Sequence, residues 1–150
     1  MPTARLAAAG DPASEFLPHT PPFLLLDRIV AIDGPTGRFV KRVTAADPLL
    51  GPSGELSPIL LVEAMAQGAG IVLGRQEPEL RERGAVLAAI DRCAIAGSAA
   101  IGDALEIEIT VVRRYAGMAR IKARACVGGR TCATASLTLA FPPGSSAASE

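Results

Sequence analysis

LSPILLVEAMAQ, residues 56–67, is almost wholly apolar, yet it carries a carboxylate and an amide four positions apart. Ser57 followed by Pro58 is a helix start. The hydroxyl can cap the first turn, and proline at the first helical position gives up no amide the helix would use. The apolar pattern predicts a helix over 58–75. Glu63 and Gln67, spaced i and i+4, share one helix face with Leu60 and Ile71. A carboxylate on an apolar stripe is costly unless it is paired, hydrogen-bonded or protonated. Two readings follow: a solvated or structurally bonded carboxylate, or a tuned acid/base group. Gly68 and Gly70 lower the intrinsic helix propensity. Small residues in mid-helix admit a close neighbour, here a sheet wrapped around the helix.

Outward from this helix the pattern changes to period two. Before it, 25–32 and 38–44 read as a hairpin joined by DGPTG at 33–37, with Phe39, Lys41 and Val43 on one face. Pro18, Pro21 and Pro22 forbid a regular helix at 17–22. AADPLLGPSGELSP at 45–58 is a loop. After the helix, EPELRERG at 77–84 reads as a polar linker. Residues 85–95 read as a mostly buried strand with a kink or bulge near Asp91. Strands at 104–114, 117–127 and 130–140 alternate clearly, and YAG at 115–117 and GG at 128–129 supply the turns. The architecture is α+β: one long central helix wrapped by a curved antiparallel sheet of about six strands. A flexible leader is expected at 1–15, a single domain at 16–141 and a flexible tail at 142–150.

The chain has 150 residues, enough for one sizeable core. Fifteen Lys and Arg balance fifteen Asp and Glu. No basic field points to nucleic acid, and aromatics are too scarce for base stacking. The single histidine, His19, excludes a His-rich metal site, and no metal ligands are assigned. Cys93, Cys126 and Cys132 are odd in number and lack CxxC spacing, so they read as small apolar fillers in a reducing, cytoplasmic setting. The 56–73 run is interrupted by Glu63 and Gln67 and reads as a core helix rather than a membrane span.

LPHTPPFLLLDRI, VEAMAQGAGIVL and IDRCAIAGSAAIGDALEIEI, with the final alternating strands, together resemble the hot-dog-fold 3-hydroxyacyl-(acyl carrier protein) dehydratases of the FabZ type. The resemblance spans about 16–141. It implies a hot-dog fold that dimerises by joining two sheets, with acyl-thioester sites at the dimer interface and no cofactor. In that family a histidine in a G-H-F-P-G loop removes the α-proton. An acid on the central helix of the partner subunit helps expel the β-hydroxyl as water. The acid corresponds to Glu63 and the amide after it to Gln67. The histidine has no counterpart: DPLLGPSGELSPIL is about four residues shorter, and no His lies between 45 and 58. The family's Pro-Gly helix start has become Ser57-Pro58, which removes one N–H that could polarise a thioester carbonyl. His19 matches the family's LPH histidine, with a structural or site-entrance role.

The resemblance therefore implies Glu63 as the catalytic residue, with Ile59, Leu60, Ala64 and Gln67 lining an acyl channel. The expected function is acyl-thioester binding on an acyl carrier protein or CoA. The chain would be a degenerate dehydratase, or the partner of an active one in a homodimer or a heterodimer with another hot-dog subunit. An active thioesterase or weak dehydratase or isomerase using Glu63, and a purely structural subunit, stand as alternatives. Asp27-Arg28 reads as a turn or interface ion pair, and Asp91 and Asp103 as turn caps. Arg113, Arg114, Arg120, Lys122 and Arg124 form a basic cluster, read as a solvated face or a docking surface for an acidic carrier.

Overall fold

Helix α1 spans Pro58–Gln76 and lies in the concave side of a six-stranded antiparallel sheet. The computed structural model describes residues 5–143. Its strands are β1 (Arg28–Asp33), β2 (Thr36–Arg42), β3 (Val86–Ile95), β4 (Ala104–Tyr115), β5 (Met118–Val127) and β6 (Arg130–Ala140). They run in the order β1-β2-β4-β5-β6-β3. This is the expected α+β hot-dog architecture, with the sheet curled around one helix.

Alternation explains which face the sheet turns inward. Leu105, Ile107 and Ile109 on β4, Ala119 and Ile121 on β5, and Leu137 and Leu139 on β6 are buried against α1. Inward alanines on β5 and β6 keep that floor shallow, so the helix can sit close. A Cβ at Gly68 would meet Phe39 and Ile109 at 3.0–3.1 Å. Both β4–β5 and β5–β6 turns need left-handed backbone, at Ala116-Gly117 and at Gly128-Gly129. Glycine takes that conformation without strain. By length and composition α1 could cross a membrane, but here it is the core helix of the sheet's concave face.

Three expectations need correction, and a fourth holds. The first strand begins at Arg28, not Leu25, because the Leu25 amide donates to the Gln67 side chain instead of a ladder. The 77–84 linker contains a short helix, α2 (Pro78–Arg83), which starts at a proline and ends at Gly84 with positive φ. Strand β3 is not mostly buried. Among the described residues it pairs only with β6, and Val86, Ile90 and Ile95 are exposed on it. The bulge expected near Asp91 is present, as a register shift between Ile90 and Arg92.

Residues 10–13, within the segment expected as a leader, lie along β1. Gly10 N donates to Ile29 O, Ile29 N to Asp11 O, and Ala13 N to Asp27 O. Ala7 and Ala13 belong to the same buried core as α1, so packing shows no break at residue 16. Residues 1–4 and 144–150 of the expected leader and tail lie outside the described residues.

Candidate functional site

Helix α1 is enclosed on nearly every side through its middle, where its less buried positions are Glu63, Ala66 and Gly70. Their i, i+3, i+7 spacing puts them on one stripe. That stripe floors a small cleft open to solvent. Leu17, His19, Leu80 of α2, Leu139 of β6 and Phe141 just beyond it line the cleft.

Gln67 holds the carboxylate in place. Its side chain is buried, and its Nε2 donates to Phe23 O at 2.7 Å and to Glu63 Oε1 at 3.1 Å. Its Oε1 accepts from Leu25 N at 3.0 Å. One amide thus ties α1 to the 23–25 segment and points Glu63 into the cleft. The Glu63 side chain is 40% exposed, so the carboxylate stands at the cleft mouth and is not enclosed in apolar surroundings. No hydrogen bond reaches its Oε2 among the described residues.

His19 Nε2 lies 3.4 Å from Glu63 Oε1. This is an ion-pair distance, longer than a good hydrogen bond. His19 Nδ1 is buried without a partner. The two side chains are 44 positions apart in the chain, which is why their meeting was not legible in the sequence. The Pro-rich turn that carries His19 folds over the N-terminal half of α1, and the Gln67 bonds to Phe23 and Leu25 fix it there.

The helix start is capped by Ser57. Pro58 has no N–H, Ile59 N reaches Ser57 Oγ at 3.4 Å, and Leu60 N donates to Ser57 O at 2.9 Å. The preceding loop is pinned by a buried ion pair, Lys41 Nζ to Asp47 Oδ2 at 2.7 Å. It carries no histidine. Ser57 is used as the helix cap, and Ser53 is exposed on the loop.

Of the residues expected to line a channel, Gln67 is in this cleft with Glu63. Ile59 is exposed at the helix start, Leu60 packs at the core edge, and Ala64 is buried within the core; none lines the cleft. Ala66 and Gly70 are the residues sequence reasoning missed, whereas His19, given a structural or site-entrance role, lines the cleft. For the first two, the signal was their spacing from Glu63.

A family model described as ApeP dehydratase matches residues 11–149. The chain belongs to the ApeP-like dehydratase family. It is 37% identical over 132 residues to the 3-hydroxyacyl-[acyl-carrier-protein] dehydratase FabZ of Pseudothermotoga lettingae, covering 85% of this chain and 91% of that one. It is 34% identical over 131 residues to FabZ of Streptococcus pneumoniae, covering 85% and 93%. The fold matches a chain of the dehydratase heterocomplex ApeI:P from Xenorhabdus doucetiae with TM-score 0.78 at 20% identity, over 88% of this chain and 91% of that one. A hypothetical thioesterase with coenzyme A from Streptococcus pneumoniae matches with TM-score 0.63 at 15% identity, over 77% and 84%.

Other features of this ApeP-like chain have ordinary roles. Asp27 and Arg28 do not pair with each other. Asp27 accepts from Arg42 N, and Arg28 donates to Gly10 O. Asp103 caps Ala100 N as expected, whereas Asp91 sits in β3 and accepts from Thr138 Oγ1 across the sheet. Within the basic cluster, Arg114 pairs with Glu77, Arg120 with Asp91 and Arg124 with Glu108, which fits a solvated face.

Proposed function

We propose that this protein is a dehydratase subunit that binds 3-hydroxyacyl thioesters and contributes Glu63 to a site whose base is a loop histidine of a second hot-dog subunit. The observation that carries this reading is an aimed carboxylate at an apolar cleft, next to a helix that begins at Pro58 and a loop with no histidine. Half of an acid/base pair is prepared and the other half is missing. The apolar, open edge of β3 supports a partner subunit, because an unpaired strand edge seeks another strand.

In the proposed step the partner's histidine takes the α-proton. The Cα–Cβ double bond forms as the Cβ–O bond breaks. Protonated Glu63 gives its proton to the departing hydroxyl, which leaves as water. Proton exchange with solvent then restores both groups. The acyl carrier is a carrier protein or coenzyme A, in a cytoplasmic setting.

The test is reconstitution. Native mass spectrometry of this chain mixed with a hot-dog dehydratase bearing the loop histidine is expected to show a one-to-one complex. That complex is expected to dehydrate 3-hydroxyacyl thioesters, and this chain alone is not. Only homodimers, or full turnover by this chain alone, would overturn the reading.

A second reading rests on the His19–Glu63 proximity. The two groups could share the proton transfers within one chain, because contacts in unliganded sites often tighten when substrate binds. Turnover by the pure chain that both Glu63→Gln and His19→Gln abolish would favour it. Turnover that survives His19→Gln would exclude it.

A further inference from the structure

On the convex face of the sheet, away from α1, the strand register sets side chains in rows. Along β6, Ala135 and Leu137 are buried toward the helix, so Thr134 and Ser136 point the other way. Ser136 pairs with Arg92 of β3 on one side and with Lys122 of β5 on the other. The row runs on through Thr110 of β4 to Thr36 of β2. It crosses five strands and holds two cations and no acid. The rows beside it are neutralised. In one, Arg120 lies 4.0 Å from Asp91, and the Thr138 hydroxyl donates to the same carboxylate at 2.7 Å. In the other, Glu108 stands between Arg38 and Arg124 and pairs with Arg124 at 3.5 Å. No ion pair reaches Arg92 or Lys122 among the described residues. The chain has no net charge, so this positive spot is made by placement.

We propose that Arg92, Lys122, Thr134 and Ser136 form a binding site for a terminal phosphate group. These four side chains, with the strands at Ala123 and Ala135, line a shallow depression. The two cations flank β6 at about 10 Å, twice the usual strand spacing. Their long stems let both heads swing over Ser136. Without an anion they repel each other; with one between them the repulsion becomes attraction. A tetrahedral oxyanion there takes charge-assisted bonds from the guanidinium and the ammonium and neutral bonds from the two hydroxyls. No aromatic or large apolar side chain lines the depression, so the phosphate is recognised and its bearer is not. The sheet itself divides this site from the Glu63 cleft. A strand added at β3 would pair in the plane of the sheet and leave this face open. The site therefore stands or falls apart from the thioester reading.

The experiment is an NMR titration of the nitrogen-15-labelled full chain with inorganic phosphate and with glycerol 3-phosphate, ionic strength being held constant with sodium chloride. Saturable amide shifts are expected at Arg92, Lys122, Thr134 and Ser136, and none at Glu63. Arg92→Gln and Lys122→Gln are each expected to weaken binding about fivefold or more, and together to abolish it. Arg120→Gln, one row away and already facing Asp91, is expected to stay within about twofold. Melting gives a second readout. Phosphate should raise the melting temperature of the wild type and not of the double variant. In phosphate-free buffer of low salt the double variant should melt no lower than the wild type, because a like-charge pair has gone. Vesicles of phosphatidylcholine with phosphatidic acid separate the two sources of the phosphate. Cosedimentation that needs both cations assigns it to a lipid headgroup, and binding of glycerol 3-phosphate without cosedimentation assigns it to a soluble phosphomonoester. Shifts that never saturate, that sodium chloride reproduces or that survive in the double variant would overturn the site.

Discussion

Two glycines two positions apart on α1 mark two different surfaces. A Cβ at Gly68 would press on Phe39 and Ile109, whereas one at Gly70 would enter open space. The Gly68 side, with Leu61, Met65 and Val72, is filled by the sheet and serves stability. The Gly70 side, with Ala66 and Glu63, is left partly open by the described residues. A helix with one stripe unfilled and one carboxylate on that stripe is built to receive something. The contrast separates packing from chemistry within a single element.

That separation can be broken by substitution. The largest effect is expected on the open stripe but in activity alone. Glu63→Gln should lower turnover of the reconstituted complex by about 10²–10⁴-fold, with an unchanged melting temperature. Loss of both together would mean that Glu63 is structural. On the filled side, Leu61→Ala should cost about 2–5 kcal/mol of stability in denaturant unfolding. Gly68→Val should cost about 1–3 kcal/mol by overpacking against Phe39 and Ile109. Gln67→Ala bridges the two surfaces. It strands Leu25 N and Phe23 O and should cost about 1–3 kcal/mol, while also reducing turnover because Glu63 loses its guide. The smallest effect is at Gly70→Ala, which should be neutral or stabilising by up to about 1 kcal/mol through helix propensity. A Gly70→Ala variant as damaged as Gly68→Val would erase the contrast.

Much of this was legible in the sequence. Ser57-Pro58 marked the helix start to the residue, and alternation marked β4, β5 and β6, because each signal is local. Glu63 and Gln67 were legible as a pair because i, i+4 spacing on a helix is also local. Three things were not. The approach of His19 to Glu63 depends on a Pro-rich turn folding back over the helix, which no short window encodes. Helix α2 was hidden by polar composition, although Pro78 and Gly84 flank it in the positions that favour a short helix. Ile59, Leu60 and Ala64 are near Glu63 in the chain but not on its open stripe. The sheet's curvature decides which helix face stays open, and that stripe runs through Ala66 and Gly70.

The two rims of the sheet are treated unequally. Residues 10–13 lie along β1 and take up amide and carbonyl groups on that rim. Beyond β3, the opposite rim has no strand partner among the described residues, and it carries Val86, Ile90 and Ile95 in the open. A free ladder of this kind obeys mass action, because whatever docks there stabilises the fold in proportion to its concentration. The melting temperature of this protein should therefore depend on how much of it, or of the proposed second subunit, is in the tube.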